Sequence, residues 1–206
     1  MIAIVDYGAG NLRSVQRACS AVKLACQLTS DPETVARADR IIFPGVGAAR
    51  SAIENLSRTG LDQALRQAFS RGAPVLGICL GAQIVLDRSE EADTRCLGLM
   101  RGTTRRLRPE DASLKIPHMG WNEVRVERPH PLLAGVQPGD EFYFVHSFFP
   151  DPDDALAVLA TSDHGARFCC ALGRDNLFAT QFHPEKSGRL GLLMLWRFAF
   201  WEGTPC

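Results

Sequence analysis

The sequence predicts an α/β protein with a mostly parallel central sheet flanked by helices and a β-rich second half, and three observations carry that expectation. Short apolar runs alternate with stretches of helical periodicity through the first 88 residues, the pattern of repeated strand–helix units and hence of a parallel sheet. Some of those runs, such as Ile2 to Tyr7 and residues 74–78 (Pro-Val-Leu-Gly-Ile), are apolar throughout, as buried strands are. From residue 142 onward, closely spaced strand-like runs replace the alternation until a last amphipathic segment.

Composition narrows the class. A chain of 206 residues with 46% hydrophobic content has ample material for a core. Lys plus Arg equals Asp plus Glu at 23 each, so no net field recommends nucleic acid or a strongly charged partner. The cysteines at 19, 26, 79, 96, 169, 170 and 206 are odd in number and form no C-x-x-C pair, which argues against a zinc cluster or a disulfide scaffold. Met1 leads directly into a strand, and nowhere do 18 apolar residues follow one another, so a cytoplasmic protein is expected.

Ile2 to Tyr7 is the first strand, and Asp6-Tyr-Gly-Ala-Gly-Asn11 is turn chemistry opening a helix with Leu12, Val15, Cys19 and Val22 on one face. Gly8 and Gly10 lack the third glycine of a dinucleotide fingerprint and read as a tight turn. Asn11 reads as the helix cap, with a partner-facing role as the alternative. Ala25 to Thr29 is a second strand, Asp31-Pro32 starts a small helix, and Arg40 to Pro44 is a third strand. Pro44-Gly-Val-Gly47 follows at a strand's carboxyl end, where sites in open α/β sheets lie. It reads equally as an ordinary loop and as a source of N–H groups for an oxyanion hole.

Leu61, Ala64, Leu65, Ala68 and Phe69 make a helical face that ends at Gly72, and the run 74–78 leads into Leu80, Ile84 and Val85 at helical spacing as far as Arg88. Residues 87–115, rich in arginine, read as a solvated connection with a short strand or two. Pro117-His-Met-Gly-Trp-Asn122 reads as a loop, either a packed corner or a recognition surface. Phe142 to Phe148 is a strand carrying His146 and Ser147 at its end; Leu156 to Thr161, Ala166 to Leu172 and Leu177 to Gln181 are further strands. Leu190, Leu193, Met194, Phe198 and Trp201 give one face of a C-terminal helix.

Chemistry concentrates at two places. Cys79 stands between Gly77 and Gly81 at a strand-to-helix turn, the arrangement that exposes a nucleophile above an α/β sheet, although a buried cysteine in a tight turn fits the local pattern too. His183 and Glu185 are two residues apart, so an extended segment points both to one side. A carboxylate beside an imidazole sets its tautomer and stabilises the imidazolium, which is what a general base needs. Cysteine, base, orienting carboxylate and glycine loop together point to nucleophilic catalysis by a thiol. A non-catalytic binding subunit on the same fold is the competing reading.

These segments resemble a known family. Gly77-Ile-Cys-Leu-Gly-Ala-Gln83 with Phe182-His-Pro-Glu185 is similar to the motifs of the class I (triad-type) glutamine amidotransferases. Within them, Asp6-Tyr-Gly-Ala-Gly-Asn-Leu-Arg-Ser-Val15, Pro44-Gly-Val-Gly-Ala48, Pro117-His-Met-Gly-Trp-Asn122, Tyr143-Phe-Val-His-Ser147 and Ala179-Thr-Gln-Phe-His-Pro-Glu-Lys-Ser187 resemble the glutaminase subunits of imidazole glycerol phosphate synthases. Departures are Ala49-Arg50 in place of the usual Phe-Gly, Ala82 in place of Met, and Phe148-Phe149 where tyrosines are common.

The resemblance implies a flavodoxin-like fold, a single amidotransferase domain over residues 1–206, and hydrolysis of L-glutamine to glutamate and ammonia through a cysteine thioester. It assigns Cys79, His183 and Glu185 as the triad, and backbone N–H groups of Leu80 and of Val46 and Gly47 as the oxyanion hole. Gly47, Gln83, Glu91, His146 and Ser147 would contact glutamine. Asn11, Trp121, Tyr143 and Lys186 would face a cyclase (β/α)₈-barrel subunit, forming a heterodimer that uses the ammonia in histidine biosynthesis. No cofactor, metal, nucleic acid or membrane is implied. A paralogue feeding a different synthase would carry the same triad.

Overall fold

The computed structural model describes residues 1–111 and 113–204, so Cys206 lies outside it. Strand–helix units build the first half: β1 (Ile2–Val5), α1 (Leu12–Ala21), β2 (Cys26–Thr29), α2 (Pro32–Arg37), β3 (Arg40–Gly45), α3 (Ala49–Thr59), α4 (Leu61–Ser70), β4 (Val75–Cys79) and the short α5 (Leu80–Ile84). The second half contributes β5 (Arg88–Ser89), β6 (Thr94–Arg95), β7 (Gly102–Arg106), β8 (His118–Glu123), β9 (Arg125–Val126), β10 (Glu141–His146), β11 (Phe148–Pro152), β12 (Val158–Asp163), β13 (Arg167–Arg174), β14 (Leu177–Thr180) and α6 (Gly188–Phe198).

The main sheet runs β2-β1-β3-β4-β14-β13-β12-β9. Its first five strands are parallel and the last three join antiparallel. Apolar runs without alternation follow from helices on both faces. Ala3, Val5, Ile41 and Phe43 pack with Leu56, Leu61 and Leu65 of α3 and α4. Ile2, Ile4 and Ile42 pack on the opposite side with Leu12 and Val15 of α1 and Met194 and Leu195 of α6. Asp31 caps α2 by accepting from the N–H groups of Glu33 and Thr34, with Pro32 in the first turn.

The structure corrects the sequence reading in several places. α3 has no counterpart in it, because the buried face is Ala49, Ala52 and Leu56, two of them too small to mark a periodicity. The helix expected to reach Arg88 stops at Ile84: the carbonyls of Ile84, Val85 and Leu86 accept instead from the N–H groups of Leu97, Leu99 and Gly98. Residues 87–115 contribute three strands, which with β11 form a separate sheet in the order β11-β7-β5-β6. The Pro117–Asn122 segment is mostly strand rather than loop, since β8 pairs antiparallel with β10 from His118 opposite His146 to Glu123 opposite Glu141.

Three histidines are buried as neutral rings. Burial pushes the pKa of His118 and His130 down to about 4 and that of His146 to about 3. An unfolded histidine titrates near 6.5. Between that value and about 4 the unfolded chain therefore binds more protons than the folded one, so this stabilisation is complete above pH 6.5 and is lost as pH falls toward 4. The urea midpoint is expected to drop between pH 7 and about pH 4.5. His130→Phe, which retains a ring on Phe178, is expected to lessen that drop.

Candidate active site

Cys79 ends β4 and precedes α5 with φ +56° and ψ −107°, a backbone conformation that L-residues rarely adopt and that the surrounding packing must enforce. The flanking glycines make the turn possible. A Cβ on Gly81 would lie 2.0 Å from the Phe43 carbonyl oxygen, and one on Gly77 would lie 3.0 Å from Ala179 Cβ. The Pro44–Gly47 segment runs alongside, with Gly45 paired to Cys79 in register. A Cβ on Gly45 would lie 2.1 Å from the Tyr7 hydroxyl and 3.1 Å from Leu80 Cβ, so glycine lets the two segments approach without displacing Tyr7. Gly47 has φ +103°. As the first residue of α5, Leu80 has an N–H with no intrahelical acceptor.

His183 and Glu185 follow β14, and their side chains are wholly shielded from solvent. His183 Nδ1 lies 2.7 Å from Glu185 Oε1, and Asn11 Nδ2 donates to the same oxygen at 2.5 Å. A carboxylate only accepts, so Nδ1 carries a proton directed at Glu185. Nε2 is buried without a well-formed hydrogen bond and has the Cys79 thiol beside it. Burial alone would lower the imidazole pKa, but Cys79 and Glu185 outweigh it and raise it to about 10. A shielded imidazolium held by Glu185 beside the Cys79 thiol is placed to give a proton from Nε2. Asn11 does not cap α1 through its side chain; it adopts φ +72° and turns its amide to Glu185.

A cavity of about 260 Å³ opens at Cys79, a volume suited to a ligand smaller than drug-sized molecules. Its walls include all five residues expected to contact glutamine, Gly47, Gln83, Glu91, His146 and Ser147, together with Val46 and Leu80 of the expected oxyanion hole. Gln83 is buried and gives both amide hydrogens to the protein, one to the Phe148 carbonyl at 2.9 Å and one to Gln181 Oε1 at 3.0 Å. Glu91 sits in a 3₁₀ turn, where its Oε2 accepts from the Ala49 N–H at 2.7 Å. Arg50, one of the departures from the family pattern, reaches the neighbouring Ala92 carbonyl, so this corner ties α3 and the glycine loop to the Glu91 turn.

Gln181 is the site residue that the sequence reading left out. Its Nε2 approaches Cys79 Sγ at 3.7 Å. The signal was present: Gln181 stands two residues before His183, on the same side of an extended segment. Trp121, Tyr143 and Lys186 lie on a surface patch rather than in the cavity. Trp121 is 53% exposed and meets Tyr143 edge-on across the β8–β10 pair at 6.2 Å, while Lys186 Nζ lies 5.5 Å from the Tyr143 ring centre. Among the described residues no group of three or more His, Cys, Asp or Glu side chains forms a metal site, and no helix is long and apolar enough to cross a membrane.

The family model described as glutamine amidotransferase class-I matches residues 3–200. A protein of Nitratidesulfovibrio vulgaris (strain Hildenborough) named imidazole glycerol phosphate synthase subunit HisH is 49% identical over 203 residues, covering 96% of this chain and 95% of its own. A protein of the same name from Chromobacterium violaceum is 47% identical over 210 residues, covering 98% and 99%. Among solved structures, a glutamine amidotransferase superposes with a TM-score of 0.72 at 16% identity over 96% of this chain and 98% of its own. A chain of the PurLQS complex from Thermotoga maritima superposes with a TM-score of 0.72 at 19% identity over 97% and 96%, a likeness of fold.

Proposed function

Because the chain belongs to the class I glutamine amidotransferase family, we propose that its cavity binds L-glutamine and that Cys79 is the nucleophile toward it. The protein is the glutaminase subunit of an imidazole glycerol phosphate synthase in histidine biosynthesis. The observation that carries the mechanism is the buried Glu185–His183 pair set against the strained Cys79 turn at the cavity.

Cys79 Sγ attacks the γ-carboxamide carbon, and the carbonyl π electrons move to oxygen. The backbone N–H of Leu80 and those of Val46 and Gly47 receive that oxyanion, a single such donor being worth about 3 kcal/mol of barrier. Collapse expels the amine; His183 gives it the Nε2 proton, and ammonia leaves behind a γ-glutamyl thioester. His183 then takes a proton from water, whose oxygen attacks the thioester. Glutamate departs and the thiolate–imidazolium pair is restored. Glu185 keeps the ring oriented through Nδ1, and Asn11 holds Glu185.

Ammonia is useful to a synthase only if it reaches the second active site undiluted. The partner in this proposal is a cyclase (β/α)₈-barrel subunit, in a cytoplasmic heterodimer in which this chain acts as one amidotransferase domain. The Trp121, Tyr143 and Lys186 patch, aromatic and partly exposed, supports that docking. Asn11, being half-buried at Glu185, would relay contact there to the triad.

Glutaminase assays of the chain alone, with the cyclase, and with the cyclase plus its nucleotide substrate test this reading. Glutamate release is expected to be slowest for the isolated chain and fastest in the liganded complex. Equal rates in all three would remove the coupling, and no glutamate release in the full complex would remove the function.

A further inference from the structure

A chain of hydrogen bonds outside the catalytic triad runs from β8 to the glutamine pocket. Asn122 Nδ2 donates to the Asp163 carbonyl at 2.7 Å, and its Oδ1 accepts from the Glu123 N–H at 2.8 Å. A carbonyl only accepts and an N–H only donates, so the amide orientation is fixed by the main chain. The same Nδ2 lies 3.2 Å from His118 Nε2, which must therefore be the acceptor. At the far end, His146 Nδ1 lies 2.9 Å from the Phe148 carbonyl and must carry a proton.

Between these fixed ends one arrangement of protons fits two neutral rings. His118 Nδ1–H donates to His146 Nε2 across the β8–β10 pair at 2.9 Å. Both histidines are then Nδ1–H tautomers with both ring nitrogens engaged. The Phe148 carbonyl that receives the chain is also the one that holds Gln83, whose second amide hydrogen goes to Gln181. With both hydrogens directed into the protein, Gln83 offers a cavity-side ligand its carbonyl oxygen, an acceptor for an N–H-bearing end of glutamine.

We propose that His118 and Asn122, neither of which lines the cavity, are positioning residues for glutamine binding: by keeping the proton on His146 Nδ1 they secure the Phe148 carbonyl and, through it, the acceptor-outward orientation of Gln83. The glutaminase reading supplies the identity of the ligand; the proton order stands independently of it. If the proton moved to His146 Nε2, two lone pairs would face each other at the Phe148 carbonyl and Gln83 would lose its anchor.

Two measurements test this. Imidazole ¹⁵N spectra of the labelled wild-type protein at pH 7 are expected to show His118 and His146 as neutral Nδ1–H tautomers. An Nε2–H tautomer or an imidazolium at either one overturns the proposal, whatever the activity. In the synthase complex, His118→Phe keeps the aromatic packing on Phe144 but removes the Nδ1–H donated to His146 Nε2, freeing that nitrogen to take the proton. KM for glutamine is expected to rise about ten-fold, with kcat within about three-fold of wild type. An unchanged KM, or a loss confined to kcat, also overturns it. A wild-type complex that released no glutamate would instead refute the glutaminase reading and leave the tautomer test standing.

Discussion

Cys79→Ala is expected to lower glutamine-dependent synthesis by the complex roughly 10⁴-fold or more, the scale seen when a catalytic nucleophile is removed, while synthesis fed with free ammonia stays within about two-fold of wild type. The asymmetry follows from where the thiol sits. It ends the β4 strand at the cavity, and in the proposed mechanism its Sγ forms the thioester, a role no neighbouring group can take over. Cys19, Cys96, Cys169 and Cys170 are buried with thiols raised in pKa, and none of them lines the cavity. Alanine keeps the Cβ of the strained turn, so the fold and the partner surface persist. Parallel assays with glutamine and with ammonium salts check the result; loss of both activities would make Cys79 a structural residue.

Glu185→Gln is expected to reduce kcat for glutamine hydrolysis by about 10³- to 10⁴-fold with little change in KM, as when the orienting carboxylate of a catalytic triad is neutralised. His183 is shielded from solvent, and burial opposes its charged form. The pKa of about 10 depends on the hydrogen bonding and electrostatic support of Cys79 and Glu185. Removing one of them leaves desolvation less opposed, so the imidazolium that must protonate departing ammonia is lost. Single-turnover kinetics, with an NMR titration of His183 showing its pKa shifted down, check this. A variant with wild-type kcat would mean that Glu185 does not act through the ring.

What the sequence made legible was local. The parallel half of the sheet follows from apolar runs set between helical periodicities, and the elbow and the His183–Glu185 pair are each contained within five residues. The remainder depends on register and on contacts distant in sequence. Residues 118–123 look like a loop because Gly120 and the preceding Pro117 break the pattern, and only pairing with β10 makes them a strand. The Asn11–Glu185 bond spans 174 positions, and the His118–His146 contact exists because two strands meet in one register. α3 escapes notice because its buried face is mostly alanine. Glu91 lies in a Ser-Glu-Glu run that reads as solvated, yet the 3₁₀ turn brings it to the cavity wall.

That one thiol in this chain acts on glutamine can be checked by treating the synthase complex with an electrophilic glutamine analogue and mapping the modified peptides. Cys26 is a built-in control, since it is only partly buried and lies away from the cavity: a small neutral alkylating agent should reach it, and the substrate-shaped reagent should not. One adduct is expected, on Cys79, suppressed by excess glutamine. An adduct on another cysteine, or none on Cys79 in the active complex, would contradict it.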